Sequence, residues 1–162
     1  MKKFSFRKSF SASILAGTIF FVLELIMVWI FLGKSPWGPS RLMASIVLGK
    51  AVLPPPDTFD LGIFIMALIV NFILAFIYSL IIDAIVHRAS AGFALLLGFL
   101  GGLALYYINF YVFTFWFPWF ASARNWVTVL THIIFGISAA LIYKGFIRLS
   151  SNSSMEVQPE QY

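Results

Sequence analysis

An all-α, polytopic membrane fold is what this sequence predicts, and three observations predict it. Of its 162 residues, 61% are hydrophobic and 10% charged, against roughly 25% charged in a soluble domain. The apolar residues gather into four runs, about Ser11 to Leu32, Leu61 to Ile82, Ala91 to Phe115 and Trp126 to Ile147. Each is long enough to cross a ~30 Å hydrocarbon core with about 20 helical residues. None alternates with the two-residue period of a strand, so four transmembrane helices are expected. Residues 1–149 then form one domain, and SSNSSMEVQPEQY, residues 150–162, is expected as a flexible, polar cytoplasmic tail.

The first helix begins behind MKKFSFRK, which imitates a secretory signal. The apolar run that follows is about twice the length of a signal's apolar core, contains Glu24 and lacks a small-x-small cleavage site, so it is expected to stay as a span. With that N-terminus inside, Lys2, Lys3, Arg7, Lys8, Arg88, Lys144 and Arg148 face the cytoplasm and Lys34, Arg41, Lys50 and Arg124 face outward, seven against four. Short cytoplasmic loops carry the excess of Lys and Arg, so both termini are expected inside. The net charge of +5 thus reads as a topology signal and as attraction to an anionic leaflet; nucleic acid is not an expected partner.

The first outer segment, GKSPWGPSRLMASIVLGKAVLPPPDTFD, is long and organised. Within it Leu42, Met43, Ile46 and Val47 share one helical face and Arg41, Ala44 and Ser45 the other, which predicts a short amphipathic helix in the outer interface, ended by Gly49. Pro54, Pro55 and Pro56 are expected to stiffen the chain as polyproline II. Asp57 and Asp60 are expected to cap the second span, a commoner use of such carboxylates than a metal site.

Between the second and third spans, DAIVHRAS is a tight turn in which Ser90 can cap the third helix and Asp83 stands four residues before His87, a spacing that suits a helical pair. The second outer connection, FTFWFPWFASARNW, is aromatic. All five tryptophans, Trp29, Trp37, Trp116, Trp119 and Trp126, fall near the outer boundary, where indole anchors a protein at the interface. Trp37 and Trp119, with Arg41 and Arg124, are also the candidates for the outer rim of a site. PWGPSR after the first span and PWFASAR after the third form a weak internal echo, which would make the two halves parallel repeats.

Across nearly the whole chain, LELIMVWIFLGKSPWGPSRLMASIVLGKAVLPPPDTFDLGI with GLALYYINFYVFTFWFPWFASARNWVTVLTHIIFG resembles a family of small four-helix bacterial membrane proteins that often carry the label sodium:proline symporter. The resemblance implies a four-helix fold in a bacterial cytoplasmic (inner) membrane and no settled activity. Where that family often has His in the second helix this chain has Asn71, so a mechanism needing a histidine there does not carry over.

Four polar residues share one depth. Glu24, Asn71, Asn109 and His132 each lie about seven to ten residues in from the outer ends, roughly 10 to 15 Å at 1.5 Å per residue. Each also falls on a small-residue face of its helix: Asn71 with Ala67, Ala75 and Ser79, His132 with Gly136 and Ala140, Asn109 in register with Gly102 and Gly98, and Glu24 with Gly17. Small residues mark close helix contacts in membranes, so the four are expected to converge in one buried cluster. The two asparagines suit interhelical hydrogen bonding, whereas Glu24 with His132 can also exchange a proton.

Three classes of function compete for such a cluster. A small-cation or small-solute transporter or channel subunit is the leading expectation, and four helices enclose so little room that a pathway would call for a homo-oligomer. A non-catalytic accessory subunit docked in a larger membrane complex by its aromatic rim is the alternative. An enzyme is not expected. The absence of cysteine excludes thiolate metal sites and cysteine nucleophiles, no HExxH spacing occurs, and His87 and His132 fall on opposite sides, which disfavours a bis-histidine haem. No cofactor and no metal are assigned, and the expected partners are the lipid bilayer and a homo-oligomer or larger membrane complex.

Overall fold

The computed structural model describes residues 4–156, which are helical nearly throughout. Five helices follow in order: α1 (Phe6–Leu32), α2 (Gly38–Leu48), α3 (Leu61–Val86), α4 (Ala91–Tyr107) and α5 (Trp126–Glu156). Four segments, Phe6–Leu32, Leu61–Val86, Ala91–Phe115 and Trp126–Leu149, are long and apolar enough to cross a membrane, and α2 is the short helix between the first two. The protein is therefore an all-α, multi-pass membrane protein. Of the tail expected from Ser150, residues 157–162 lie outside the described residues.

Local chemistry sets the helix ends. Gly33 closes α1 in the left-handed conformation, φ 60°, its N–H returning to the Val28 carbonyl. Asp60 Oδ1 accepts the Ile63 N–H at 2.9 Å, Ser90 Oγ the Phe93 N–H at 3.3 Å, and Asn125 Oδ1 the Thr128 N–H at 3.1 Å. Asp57 does not share the capping of α3: its backbone carbonyl accepts from Ser35 Oγ at 2.5 Å instead. The chain bends at Pro54 and Pro55 rather than running straight as polyproline II. After Tyr107 the third span widens into one π-helical turn, Ile108–Val112, and then tightens to 3₁₀ geometry over Phe113–Phe115.

Helix α3 displays two opposite columns at four-residue steps. Ile65, Ile69, Ile73, Ile77, Ile81 and Ile85 are all 46–58% exposed, a face for lipid. Ala67, Asn71, Ala75, Ser79 and Asp83 are all buried and look into the bundle. The other helices follow the same logic. A Cβ placed on Gly136 would sit 2.6 Å from the Gly102 nitrogen, one on Gly98 2.7 Å from the Gly136 carbonyl oxygen, and one on Gly17 2.8 Å from Ala75 Cβ. These are contacts that no larger residue allows, and they bring α4 onto α5 and α1 onto α3 at backbone distance.

Helix α2 closes one end of the bundle. Its small face points in, with Ser40, Ala44 and Ser45 buried, while Val47 and Leu48 at its far end are exposed. The amphipathic pattern thus serves packing on the bundle as much as contact with an interface. Trp119 Nε1 donates to Ser45 Oγ at 2.8 Å and pins the lid, and Trp37 packs its ring 4.8 Å from Phe59. Trp29, Trp116 and Trp126 stay exposed, as a belt would require, while Trp37 and Trp119 are half-buried against the bundle.

Candidate functional site

Beneath α2 the four spans enclose a cavity of about 270 Å³, and Glu24, Asn71, Asn109 and His132 all line it. They reach it by different routes. Asn71 is held against α1, Nδ2 donating to the Gly17 carbonyl at 3.2 Å, an approach that the missing side chain of Gly17 permits. Asn109 sits in the π-helical turn, which offsets the last turn of the span. Glu24, on α1, faces α5, which carries His132, but the two make no hydrogen bond to each other; their partners are separate.

Glu24 meets hydroxyls. Thr128 Oγ1 donates to its Oε1 at 3.3 Å and Thr131 Oγ1 donates to its Oε2, with Thr128 and Thr131 almost fully buried. Among the described residues no basic side chain reaches the carboxylate within hydrogen-bond distance. The carboxyl therefore has two hydroxyl partners on one side and open cavity on the other.

His132 belongs to a chain of bonds across three helices whose directions can all be assigned. The Thr128 carbonyl, 2.8 Å from Nδ1, can only accept, so Nδ1 carries the proton and Nε2 offers its lone pair. Asn109 Nδ2 donates to that Nε2 at 3.1 Å, and Asn109 Oδ1 accepts from the Tyr78 hydroxyl at 2.6 Å. One neutral tautomer satisfies every member. A second proton on Nε2 would meet the asparagine amide hydrogens, and turning that amide over would reverse the bonds as far as Tyr78. Phe20 and Phe110 pack edge-on to the ring, with centroids 4.9 and 5.5 Å away, and hold it in place.

The rim residues divide. Arg41 lines the mouth with Lys34 and Asp57, but its guanidinium is tied to backbone, Nη1 to the Val52 carbonyl at 2.8 Å and Nε and Nη2 to Thr58 at 3.1 and 2.9 Å. Arg124 lies away from the cavity. It donates from Nε to the Phe110 carbonyl at 2.7 Å and stacks 4.2 Å over Tyr111, mending the backbone that the π-helical turn leaves open. Trp37 and Trp119 brace the lid and do not line the cavity.

Several residues of this region carry no signal in the sequence. Thr128, Thr131 and Tyr78 read there as ordinary span and interface residues. Asp83 was placed in a turn with His87, yet it is fully buried and its oxygens make no hydrogen bond, while His87 Nδ1 lies 3.0 Å from the Tyr143 hydroxyl. The signal for Asp83 was the column Ala67, Asn71, Ala75, Ser79, of which it is the next member.

Fold and cavity together define a four-span integral membrane protein with a largely apolar chamber under a helical lid, into which a few polar side chains project. Comparison with protein-family models, curated proteins and solved structures finds no match to this chain.

Proposed function

We propose that the protein is a small-cation or small-solute transporter or channel subunit rather than an enzyme, and that its occupant enters the cavity beneath α2. The observation that carries this reading is the carboxylate of Glu24 on the cavity wall, hydrogen-bonded only by hydroxyls and facing open space. An ionisable group at such depth is costly and commonly marks a path or a binding site. The size agrees: about 270 Å³ falls below the roughly 300–1,000 Å³ of sites for drug-sized ligands, leaving room for a partly hydrated ion or a small polar molecule. His132 supplies a proton-linked state to the same wall.

The residues lining the cavity reach inward as far as Phe20, Tyr78, Leu105 and Phe135 on the four spans and no further. One copy in this conformation is therefore a vestibule, and passage uses a second conformation or a junction between copies. The charge distribution and the family resemblance support a bacterial cytoplasmic membrane with both termini inside, which puts α2 and the cavity mouth outside. A cysteine at exposed Thr58 is then labelled by impermeant reagents in intact cells and one at exposed Arg88 is not; reversed labelling inverts the topology.

The functional test is flux in proteoliposomes made with the purified protein alone. Uptake that Glu24→Gln and His132→Gln each abolish in folded protein is the expected result. Uptake that both variants leave intact moves the path elsewhere. Absence of flux together with stoichiometric co-purification of other membrane proteins in mild detergent would establish the accessory role instead.

A further inference from the structure

At the opposite end of the bundle from α2, where α1 begins and α3 ends, Ser9, Ser79 and Asp83 form a second polar group. Asp83 and Ser79 stand one turn apart on the buried column of α3, and Ser9 comes from α1, its hydroxyl beside the carboxylate without regular hydrogen-bond geometry. All three residues are 0% exposed, and Ser9 Oγ, Ser79 Oγ and both carboxylate oxygens of Asp83 are without a hydrogen-bond partner. The group does not line the cavity; Asp83 lies twelve residues beyond Asn71, about 18 Å along the helix. Between the two lies the contact of Gly17 with Ala75.

Among the described residues, these three supply four of the five buried side-chain oxygens without a partner, the fifth being Ser40 Oγ under the lid. Ser11, Ser13 and Thr18 on the same helix as Ser9 satisfy their hydroxyls on carbonyls of their own turn, at 3.1, 2.7 and 2.8 Å. Ser9 and Ser79 do not, although that bond is open to any serine in a helix. The neighbouring cation Lys144 is engaged elsewhere, its ammonium donating to the Val86, His87 and Ala89 carbonyls at 3.4, 3.1 and 2.6 Å. Tyr143, buried nearby, has its hydroxyl 3.0 Å from His87 Nδ1. The remaining walls are apolar: Ala12, Ile82 and Val86 are buried there.

We propose that Ser9, Ser79 and Asp83 form an occluded site for one dehydrated alkali-metal ion of the size of Li⁺ or Na⁺, bridging α1 and α3. The donors are hard oxygens, which suit an alkali ion. A single carboxylate balances a single positive charge, and among the described residues no group of three acidic, His or Cys side chains exists to hold a divalent metal. A proton on Asp83 would neutralise the carboxyl and could serve one hydroxyl oxygen at most, whereas an ion can use all four oxygens. This site does not depend on the cavity or on its proposed role.

The test uses full-length protein in detergent or nanodiscs, with thermal unfolding followed in NaCl, LiCl, KCl and choline chloride at one ionic strength, and with binding of radiolabelled Na⁺. Saturable stabilisation by Na⁺ or Li⁺ over choline, and one labelled ion per chain, are expected. Asp83→Asn, a neutral isostere, should abolish both. Ser9→Ala and Ser79→Ala should each weaken binding by at least the roughly tenfold that loss of an outer-shell group costs a metal site. Ser11→Ala, which removes a hydroxyl already satisfied on its own helix, should leave them unchanged. Equal melting in all four salts with no bound Na⁺ would overturn the proposal and leave Asp83 simply protonated. Binding that survives Asp83→Asn, or disappears with Glu24→Gln, would overturn it too and place the ion in the cavity.

Discussion

Glu24 and Asp83 are both carboxylates on membrane-spanning helices, and the bundle treats them in opposite ways. Glu24 has two threonine donors and an open chamber in front of it; Asp83 has one hydroxyl beside it, Ser9, in no regular hydrogen bond, and lines no opening. The difference originates in what faces each acid. Helix α5 offers hydroxyls at Thr128 and Thr131, one turn apart and at the level of Glu24. The stretch of α1 opposite Asp83 offers Ser9 and then the small, apolar Ala12. Depth in the membrane therefore does not fix the role of a buried acid. What decides is whether the adjoining helix supplies donors, and whether the packing leaves space.

The strongest way to break that comparison is to force apart α4 and α5, whose close packing holds the bundle around both ends. Gly102→Leu and Gly136→Leu drive a side chain into backbone: a Cβ at Gly102 would already lie 2.8 Å from Ile133 Cα. Each is expected to cost at least the roughly 1–3 kcal/mol of ordinary overpacking, read as a lower melting temperature in detergent or a failure to fold. Unchanged stability for both would mean that α4 and α5 do not meet through these glycines.

A second, smaller effect tests the two acids directly, and the signs should differ. Glu24→Ala removes the acceptor of Thr128 and Thr131 and should destabilise by about 1–3 kcal/mol, while Glu24→Gln should lose much less. Asp83→Asn in choline chloride, with no alkali ion present, removes an unpaired buried charge and should leave stability unchanged or raise it. Melting curves of the three variants under one buffer decide this, and losses of the same sign and size at both positions would dissolve the distinction.

The smallest effect concerns the bond chain at His132. Tyr78→Phe deletes only the hydroxyl that donates to Asn109, and about 0.6 kcal/mol is the typical value of an interhelical hydrogen bond in a membrane. The sharper readout is the imidazole itself. Nitrogen NMR of His132 should report the Nδ1–H tautomer in the wild type and a mixture once Asn109 is no longer oriented.

Much of this was legible in the sequence, and the reasons differ from part to part. The four spans were, because a 1.5 Å rise and a ~30 Å core tie helix length to the length of an apolar run. The level shared by Glu24, Asn71, Asn109 and His132 was also legible, since four-residue steps place each on the same face as glycines and alanines, and close packing requires those. The partners were not. A threonine in a span is silent until another helix brings an acceptor to it, and Tyr78 looks like any tyrosine of a membrane protein. The π-helical turn at Ile108–Val112 has no proline or glycine to announce it. Arg41 and Arg124 suggested a rim that could meet a ligand, because sequence shows charge and not the carbonyls that claim it. Trp37 and Trp119 were indistinguishable from the three tryptophans that do face outward, since the packing of a lid helix is decided by residues far away in the chain.

The isoleucine column of α3 has a further consequence, for the bilayer rather than the protein. From Ile65 to Ile85 is a rise of twenty residue steps, about 30 Å of helix, bounded by Asp60 at one end and His87 at the other. That length equals the hydrocarbon thickness of an average membrane with no tilt required. Branched side chains at every fourth position leave no gap where a polar headgroup could enter the column. The helix thus acts as a fixed gauge: in a thinner bilayer the protein must lean or the lipids stretch, and either response bears on the bundle through α3, the helix that carries both Asn71 and Asp83. Lipid chain length then becomes a control on the distance between the two polar ends and the membrane surfaces that give access to them.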